Sequence, residues 1–195
     1  EAGCLVVVVD AYSKSNPQAD IAQFDDDLLL ADLTIVSGRI DRLRESVKKP
    51  RPNRDQELAE LQALEPLANL LESGNPIAQA TLTDEQARAI RSFNLLTEKP
   101  RLFIFNLADD DHDPDRWLES TAGQSSAAKS QALAIPIGLQ LELTRMDQQD
   151  RDDFVQEMGL VRINSGDVLK SILETSGRIL FFTTGDKEVR TWLIH

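Results

Sequence analysis

The sequence predicts an α/β fold, a parallel sheet with flanking helices, interrupted by an antiparallel helical hairpin. Three observations carry this reading. Apolar runs at residues 4–9, 101–105 and 132–137 have the continuous hydrophobicity of strands covered on both faces. Helix-like stretches accompany them in the order strand, helix, strand, helix, helix, strand. Between the first two strands, apolar residues recur at alternating spacings of four and three, a rhythm that belongs to helices packed along a seam.

In chain order, the first strand is CLVVVV, residues 4–9. The seam follows from Phe24: Leu29, Leu33, Val36, Ile40, Leu43 and Val47 mark the first arm of the hairpin. The segment KKPRPNR, residues 48–54, carries two prolines that must end that arm. A second helix over residues 54–72 places Leu61, Leu64, Ala68 and Leu71 on the matching rhythm, so the two arms fold back on each other. At 1.5 Å per residue the first arm spans roughly 35 Å. Thr83 and Gln86 have capping-box spacing and start a third helix that runs to about residue 93. The second strand, 101–105, stops on Asn106 and spills into Asp109, Asp110 and Asp111. Helices are expected over 114–130, 147–158 and 167–176, the last closed by Gly177 before a strand at 179–183.

Composition removes several function classes. A net charge of -12 argues against a surface that binds nucleic acid or anionic lipid wherever it touches. One cysteine, Cys4, excludes an intramolecular disulfide, and with two histidines it leaves no Cys/His zinc cluster, so a reducing, cytoplasmic setting is expected. The apolar run after Glu1 has six residues, too short for a signal-peptide core or a membrane span, so no membrane partner is expected. Beginning on Glu rather than Met, the chain is expected to be a fragment. It contains no GxxxxGK[ST], GxSxG, HExxH or CxxC motif.

Two sets of residues remain with chemistry to offer. Asn106 and Asp109, in N-x-x-D spacing just beyond a strand end, can donate to and accept from a purine edge. The alternative is that Asn106 caps the strand and Asp109 begins a solvated loop leading into the helix at Pro114. The run DDDHDPD, which includes His112, lacks the glycine and terminal Glu of a calcium loop, so no dedicated metal site is expected. The second set is basic. Arg39, Arg42, Arg44, Lys48, Lys49, Arg51 and Arg54 gather at the hairpin tip with only Asp41 and Glu45 to offset them, a pattern that suits either phosphate contact or a solvated helix end.

Four segments then carry a resemblance. FDDDLLLADL (24–33), SFNLLTEKPRLFIFNLADDD (92–111), LELTRMDQQDRDDFVQEMGL (141–160) and FFTTGDKEVRTW (181–192) together resemble, in order, the YchF subfamily of Obg-like ATPases. TTGDKEVRTW is similar to that family's T-A-G-x-K-E-V-R-A-W. The resemblance implies a partial P-loop NTPase domain with a Rossmann-like sheet at 1–22 and 94–184, an inserted coiled-coil hairpin at 23–93, and the start of a truncated TGS domain at 185–195. It places the Walker A and switch segments upstream of the first strand. For the complete protein it implies ATP or GTP hydrolysis with Mg²⁺ and a ribosomal or RNA partner. The 195 residues alone are expected to hydrolyse nothing.

The resemblance also implies that Asn106, Leu107, Asp109, Ile137 and Gly138 line the base. Asn106-Leu107-Ala108-Asp109 departs from the family's N-x-x-E and from the N-K-x-D of GTPases. A carboxylate at 109 suits the two adjacent N–H donors of guanine, which tilts selectivity toward GTP. Pro136-Ile137-Gly138 stands where the family has a small-residue turn, and Pro136 removes an N–H donor. A rival expectation is therefore an interaction module that no longer hydrolyses nucleotide and uses the hairpin as a docking arm.

Overall fold

The computed structural model describes residues 2–13, 16–111, 113–121, 130–158, 163–185 and 188–194. They form two compact units: Ile21–Lys99, and Ala2–Asp20 together with the described residues from Pro100 onward.

In the first unit, α1 (Pro17–Ser46, which begins just before the unit boundary) and α2 (Arg54–Glu72) form the hairpin, and α3 (Asp84–Ile90) packs on α2. Val36, Ile40 and Leu43 of α1 are buried with Leu64, Leu67, Ala68 and Leu71 of α2. Ile77, Ile90 and Leu95 complete that core, with Leu29, Leu33 and Leu61 packed at its margin. The four-three rhythm thus becomes a real seam. Pro66 lies inside α2 with its ring on the exposed side, away from the seam. Thr83 and Gln86 exchange the two capping-box bonds, at 3.2 and 2.9 Å, that open α3.

One polar residue sits within this apolar packing. Asp32, fully buried, accepts the backbone N–H of Leu96 at 2.7 Å and of Thr97 at 2.8 Å, tying the segment after α3 back onto α1. Glu98, next in line, has its carboxyl pushed above the usual range by burial and by the Asp32 charge, against a smaller opposing pull from Lys99.

In the second unit, β1 (Leu5–Ala11), β2 (Arg101–Leu107) and β3 (Ser130–Ile135) form a parallel sheet in the order β1-β2-β3. β2 is central and buried through nearly its whole length. β1 differs from expectation: Val6 and Val8 are 43% and 61% exposed, so only the face bearing Val9 and Ala11 is covered. An edge strand with period-two side chains buries one set and leaves the other outward. α7 (Ser165–Ser176) packs on β2 and β3, where Leu102, Ile104 and Ile135 meet Val168 and Ile172. Its start is set by a capping box between Asn164 and Asp167, and its end by Gly177 in the left-handed region at φ 65°.

Two sequence expectations need correction, and one helix was not expected. The strand expected to reach residue 137 stops at Ile135, because Pro136 cannot donate to a ladder and instead caps α5 (Ile137–Arg145). That helix, which buries Leu139 and Leu143, was not anticipated. The strand expected to join the α/β order, β4 (Ile179–Thr184), pairs antiparallel with β5 (Val189–Ile194) in a separate two-stranded sheet. A partner strand begins five residues after β4 ends, close enough along the chain to favour antiparallel pairing over a crossover into the parallel sheet. Phe181 stacks on Trp192 across this hairpin, with centroids 6.4 Å apart. The helix expected over 114–130 is described as α4 (Asp115–Thr121), and residues 122–129 lie outside the described set. α6 (Gln148–Met158) buries none of its side chains. Among the described residues, no helix is long and apolar enough to cross a membrane.

Candidate functional site

The chemistry-bearing residues of the second unit converge outside the carboxyl end of β2, where parallel sheets place ligands. β2 is buried up to Leu107 except at Asn106, which is half-exposed. The Asn106 Oδ1 accepts the backbone N–H of Ile137 at 3.1 Å, clasping the end of β2 to the start of α5. That bond fixes the amide, because the oxygen is the end that can accept, and it leaves Nδ2 as a donor. Asp109 stands against the same helix start: a Cβ placed on Gly138 would lie 3.7 Å from Asp109 Oδ1.

The α5 N-terminus supplies further donors. Pro136 is its cap and makes no side-chain capping bond. The first intrahelical bond runs from the Gln140 N–H to the Pro136 carbonyl at 3.0 Å. The N–H groups of Gly138 and Leu139 therefore lie ahead of any carbonyl in their own helix. Pro136, as the cap, lacks the N–H that would be a further donor here, so the helix donors are those of Ile137, Gly138 and Leu139.

The structure thus brings together Asn106, Asp109, Ile137 and Gly138. Leu107, 4% exposed, turns its side chain into the core, so only its backbone is near this patch.

Asp111 takes a role the sequence reading missed. Its carboxylate, 6% exposed, accepts from Arg116 Nη2 at 2.7 Å, from the Trp117 indole N–H at 3.1 Å and from the Asp113 N–H at 3.0 Å. Burial alone would raise its pKa, but these hydrogen bonds and the Arg116 charge hold it below the usual carboxylate range. Trp117 in turn stacks on Phe105 at 5.7 Å, with the Arg116 guanidinium 4.8 Å from its ring centre. This acid anchors α4 to the sheet. Tryptophan six residues beyond an acidic run was the available signal. His112 lies outside the described residues.

A polar cleft of about 460 Å³ lies along the hairpin, but the one beside the strand ends is smaller, about 400 Å³, and is lined by Tyr12, Ser13, Asp110, Asp111, Asp113 and Arg116 among others. Asp10, just before the lining residues Ala11–Ser13, accepts from the Ser13 hydroxyl at 2.6 Å and from the Ser13 and Tyr12 N–H groups at 3.0 and 3.1 Å. The Ser13 bonds, ahead of the Tyr12 bond, hold its carboxyl below the usual range. Among the described residues, no group of three or more His, Cys, Asp or Glu side chains could hold a metal ion.

At the hairpin tip, the seven expected basic residues divide. Arg39 makes a two-pronged pair with Glu60, both bonds 2.7 Å, and Arg44 reaches Glu65 at 2.8 Å, so each bridges α1 to α2. Lys48 pairs with Glu45 on its own helix end. Arg42 and Arg54 each donate Nε–H to a backbone carbonyl at 2.9 Å, of Gly38 and Val47, and stay exposed with Lys49 and Arg51.

No family model matches the chain. Relatives described as "Ribosome-binding ATPase YchF" do. The protein from Escherichia coli O157:H7 is 30% identical over 189 residues, covering 96% of this chain and 51% of that protein. The one from Haemophilus influenzae is 29% identical over the same shares, and the one from Bacillus subtilis 25% identical over 95% and 50%. The chain thus spans about half the length of the curated relatives it matches. Among solved structures, the Schizosaccharomyces pombe YchF GTPase shares the fold, with a TM-score of 0.74 at 18% identity over 98% of this chain and 55% of that one.

Proposed function

We propose, from the premise that this chain belongs to the YchF subfamily of Obg-like P-loop NTPases, that its second unit forms the base-binding side of a purine-nucleotide site. The observation that carries the reading is the clasp between Asn106 Oδ1 and the Ile137 N–H, with Asp109 standing over Gly138. It gathers a donor amide, a carboxylate and first-turn helix donors on one exposed patch of surface. The bland alternative, a strand cap beside a solvated loop, needs no bond from Asn106 to an element thirty residues onward.

In the complete protein the reaction would be hydrolysis of ATP or GTP with Mg²⁺, in the cytoplasm and in contact with the ribosome. The relatives' names supply the nucleotide hydrolysis and the ribosome, while Mg²⁺ and the cytoplasmic setting are what the family resemblance implies. The residues here suit the base and not the phosphates: the 195 residues hold no Gly-rich loop ending in Lys and Ser or Thr. What this chain's own residues do is bind and orient a base, with Asn106 held rigid by α5. The hairpin tip is its ribosomal or RNA contact, through exposed Arg42, Lys49, Arg51 and Arg54, while Arg39 and Arg44 set the pairing of the two helices. In domain terms, residues 23–93 are read as an inserted hairpin and 185–195 as the start of a TGS segment; the pairing of β5 with β4 supports extending that segment back to Ile179.

The direct test is equilibrium binding of purine nucleotides to this chain and to Asn106→Ala. Loss of most of the affinity in the variant supports the reading, and unchanged affinity returns Asn106 to a structural cap. The second reading, a docking module indifferent to nucleotide, is favoured by the two cross-helix Arg–Glu pairs that hold the hairpin without any ligand. It predicts ribosome co-sedimentation that added nucleotide does not alter.

A further inference from the structure

We infer that a cavity lined by the sheet and by helices α5, α6 and α7 binds a small apolar molecule that ends in a carboxylate. The cavity has a volume of about 520 Å³, within the range of sites that hold small ligands. All of its lining residues belong to the second unit. Ile104 and Ile135 come from β2 and β3, Leu143 from α5, Arg151 from α6 and Val168 from α7. Of the four residues assigned to the base, Ile137 alone is among the lining, so this site is separate from that patch and does not rest on it. The space stays open for a local reason. α5 buries Leu139 and Leu143, but α6 buries none of its side chains and brings no apolar residue to the cavity, only Arg151.

The chemistry of the lining names the ligand class. Ile104, Ile135, Leu143, Ile163 and Val168 offer hydrocarbon surface, which takes up an apolar tail. Arg151 is the one charged side chain, and the lining holds no Asp or Glu, in a chain whose net charge is -12. A cation beside apolar walls attracts an anion more strongly than one in open water. Arg151 is also held in place. Its Nε–H and an Nη2–H go to the carbonyls of Leu143 at 2.7 Å and Met146 at 2.8 Å, at the end of α5. A guanidinium has five N–H groups, so the two on Nη1 remain for a carboxylate. Asn164 adds a donor: its Oδ1 accepts the Asp167 N–H at 3.1 Å, which identifies the oxygen and leaves Nδ2 to donate. Asp167 itself is taken up in the capping box and is not in the lining. An ammonium would meet the Arg151 charge here, and a sugar would set hydroxyls against hydrocarbon that cannot bond them.

Methyl NMR of the labelled 195-residue chain, titrated at neutral pH with octanoate, octanol and acetate, tests this. Octanoate should give saturable shifts centred on the methyls of Ile104, Ile135, Leu143 and Val168. Octanol keeps the tail without the charge and should bind roughly tenfold or more weakly, the scale of one charge-assisted hydrogen bond. Acetate keeps only the charge and should leave those methyls in place. Val168→Phe narrows the cavity and should abolish the octanoate shifts. Arg151→Gln removes the charge and should bring octanoate and octanol to within about threefold of each other. Circular dichroism checks that both variants fold, and the octanoate and octanol titrations of the unchanged chain decide the matter if either does not. No saturable shift at millimolar octanoate would overturn the proposal, as would shifts centred on Ile179, Val189 and Leu193 of the exposed β4–β5 pair. Octanol binding as tightly as octanoate would overturn the assignment of a carboxylate.

Discussion

Replacing Asp32 with Ala should cost the first unit much of its stability. The carboxylate is fully buried in α1 and accepts two backbone N–H groups, from Leu96 at 2.7 Å and Thr97 at 2.8 Å. Hydrogen bonds to a charged group contribute about 1.5 to 3 kcal/mol each. The variant also leaves the Thr97 N–H buried without its acceptor, and Thr97 is 1% exposed. Against this, the variant no longer has to bury a charge, which recovers part of the loss. A net destabilisation of about 2 to 4 kcal/mol follows. For a unit of this size that lowers Tm by roughly 10 to 25 °C. Asp32→Asn keeps one acceptor oxygen and the side-chain volume, and should lose about half as much. Thermal melting followed at 222 nm measures the loss, and hydrogen exchange at Leu96 and Thr97 localises it. A Tm within about 2 °C of the parent for Asp32→Ala, with those two amides still protected, would refute the reasoning that this acid holds the return segment.

Three further outcomes follow from the same structure. Gly38 lies inside α1 with open space where a Cβ would go, so Gly38→Ala should raise stability by about 0.5 to 1 kcal/mol in a denaturant titration; a decrease would mean that the glycine is needed for close approach. Glu98 has a folded pKa raised above its unfolded value by burial and by Asp32, so its contribution is present at low pH and is lost as pH rises through the range just above ordinary carboxylate titration. Glu98→Gln should flatten that segment of a stability-versus-pH curve, and an identical curve would discount the burial. Neutralising Arg42, Lys49, Arg51 and Arg54 together should weaken RNA binding and reduce its salt slope by roughly 0.7 to 0.9 per lost phosphate contact, while Arg39→Ala and Arg44→Ala should lower hairpin stability instead. An unaltered slope in the quadruple variant would leave the tip as a solvated helix end.

The elements with local signals were legible from the sequence. The seam of α1 and α2 follows from the four-three rhythm, and the start of α3 from Thr83 and Gln86, because capping and periodicity are written into neighbouring residues. Features that depend on distant partners were not. Asp32 reads as one more acid in an acid-rich helix until its two donors, sixty-four and sixty-five residues onward, are in place. α5 was hidden because PIG reads as a strand end. Pro before a helix is itself a start signal, and Leu139 and Leu143 have helical spacing. β5 was missed because VRTWLI gains its strand character from pairing with β4. At the candidate site, Asn106 and Asp109 were visible as a spacing. Only the fold shows that Asn106 is held by Ile137 and that Leu107 turns inward.

The central proposal is that Asn106, Asp109, Ile137 and Gly138 together contact a purine base. Backbone amide shifts of the labelled chain, recorded by NMR during titration with GMP, test it most directly. The account predicts saturable shifts that are largest at Asn106, Asp109, Ile137 and Gly138, with the hairpin amides near Arg42 and Arg51 unmoved. Shifts confined to the hairpin, or a titration in which the Ile137 and Gly138 amides stay in place while others move, would contradict it.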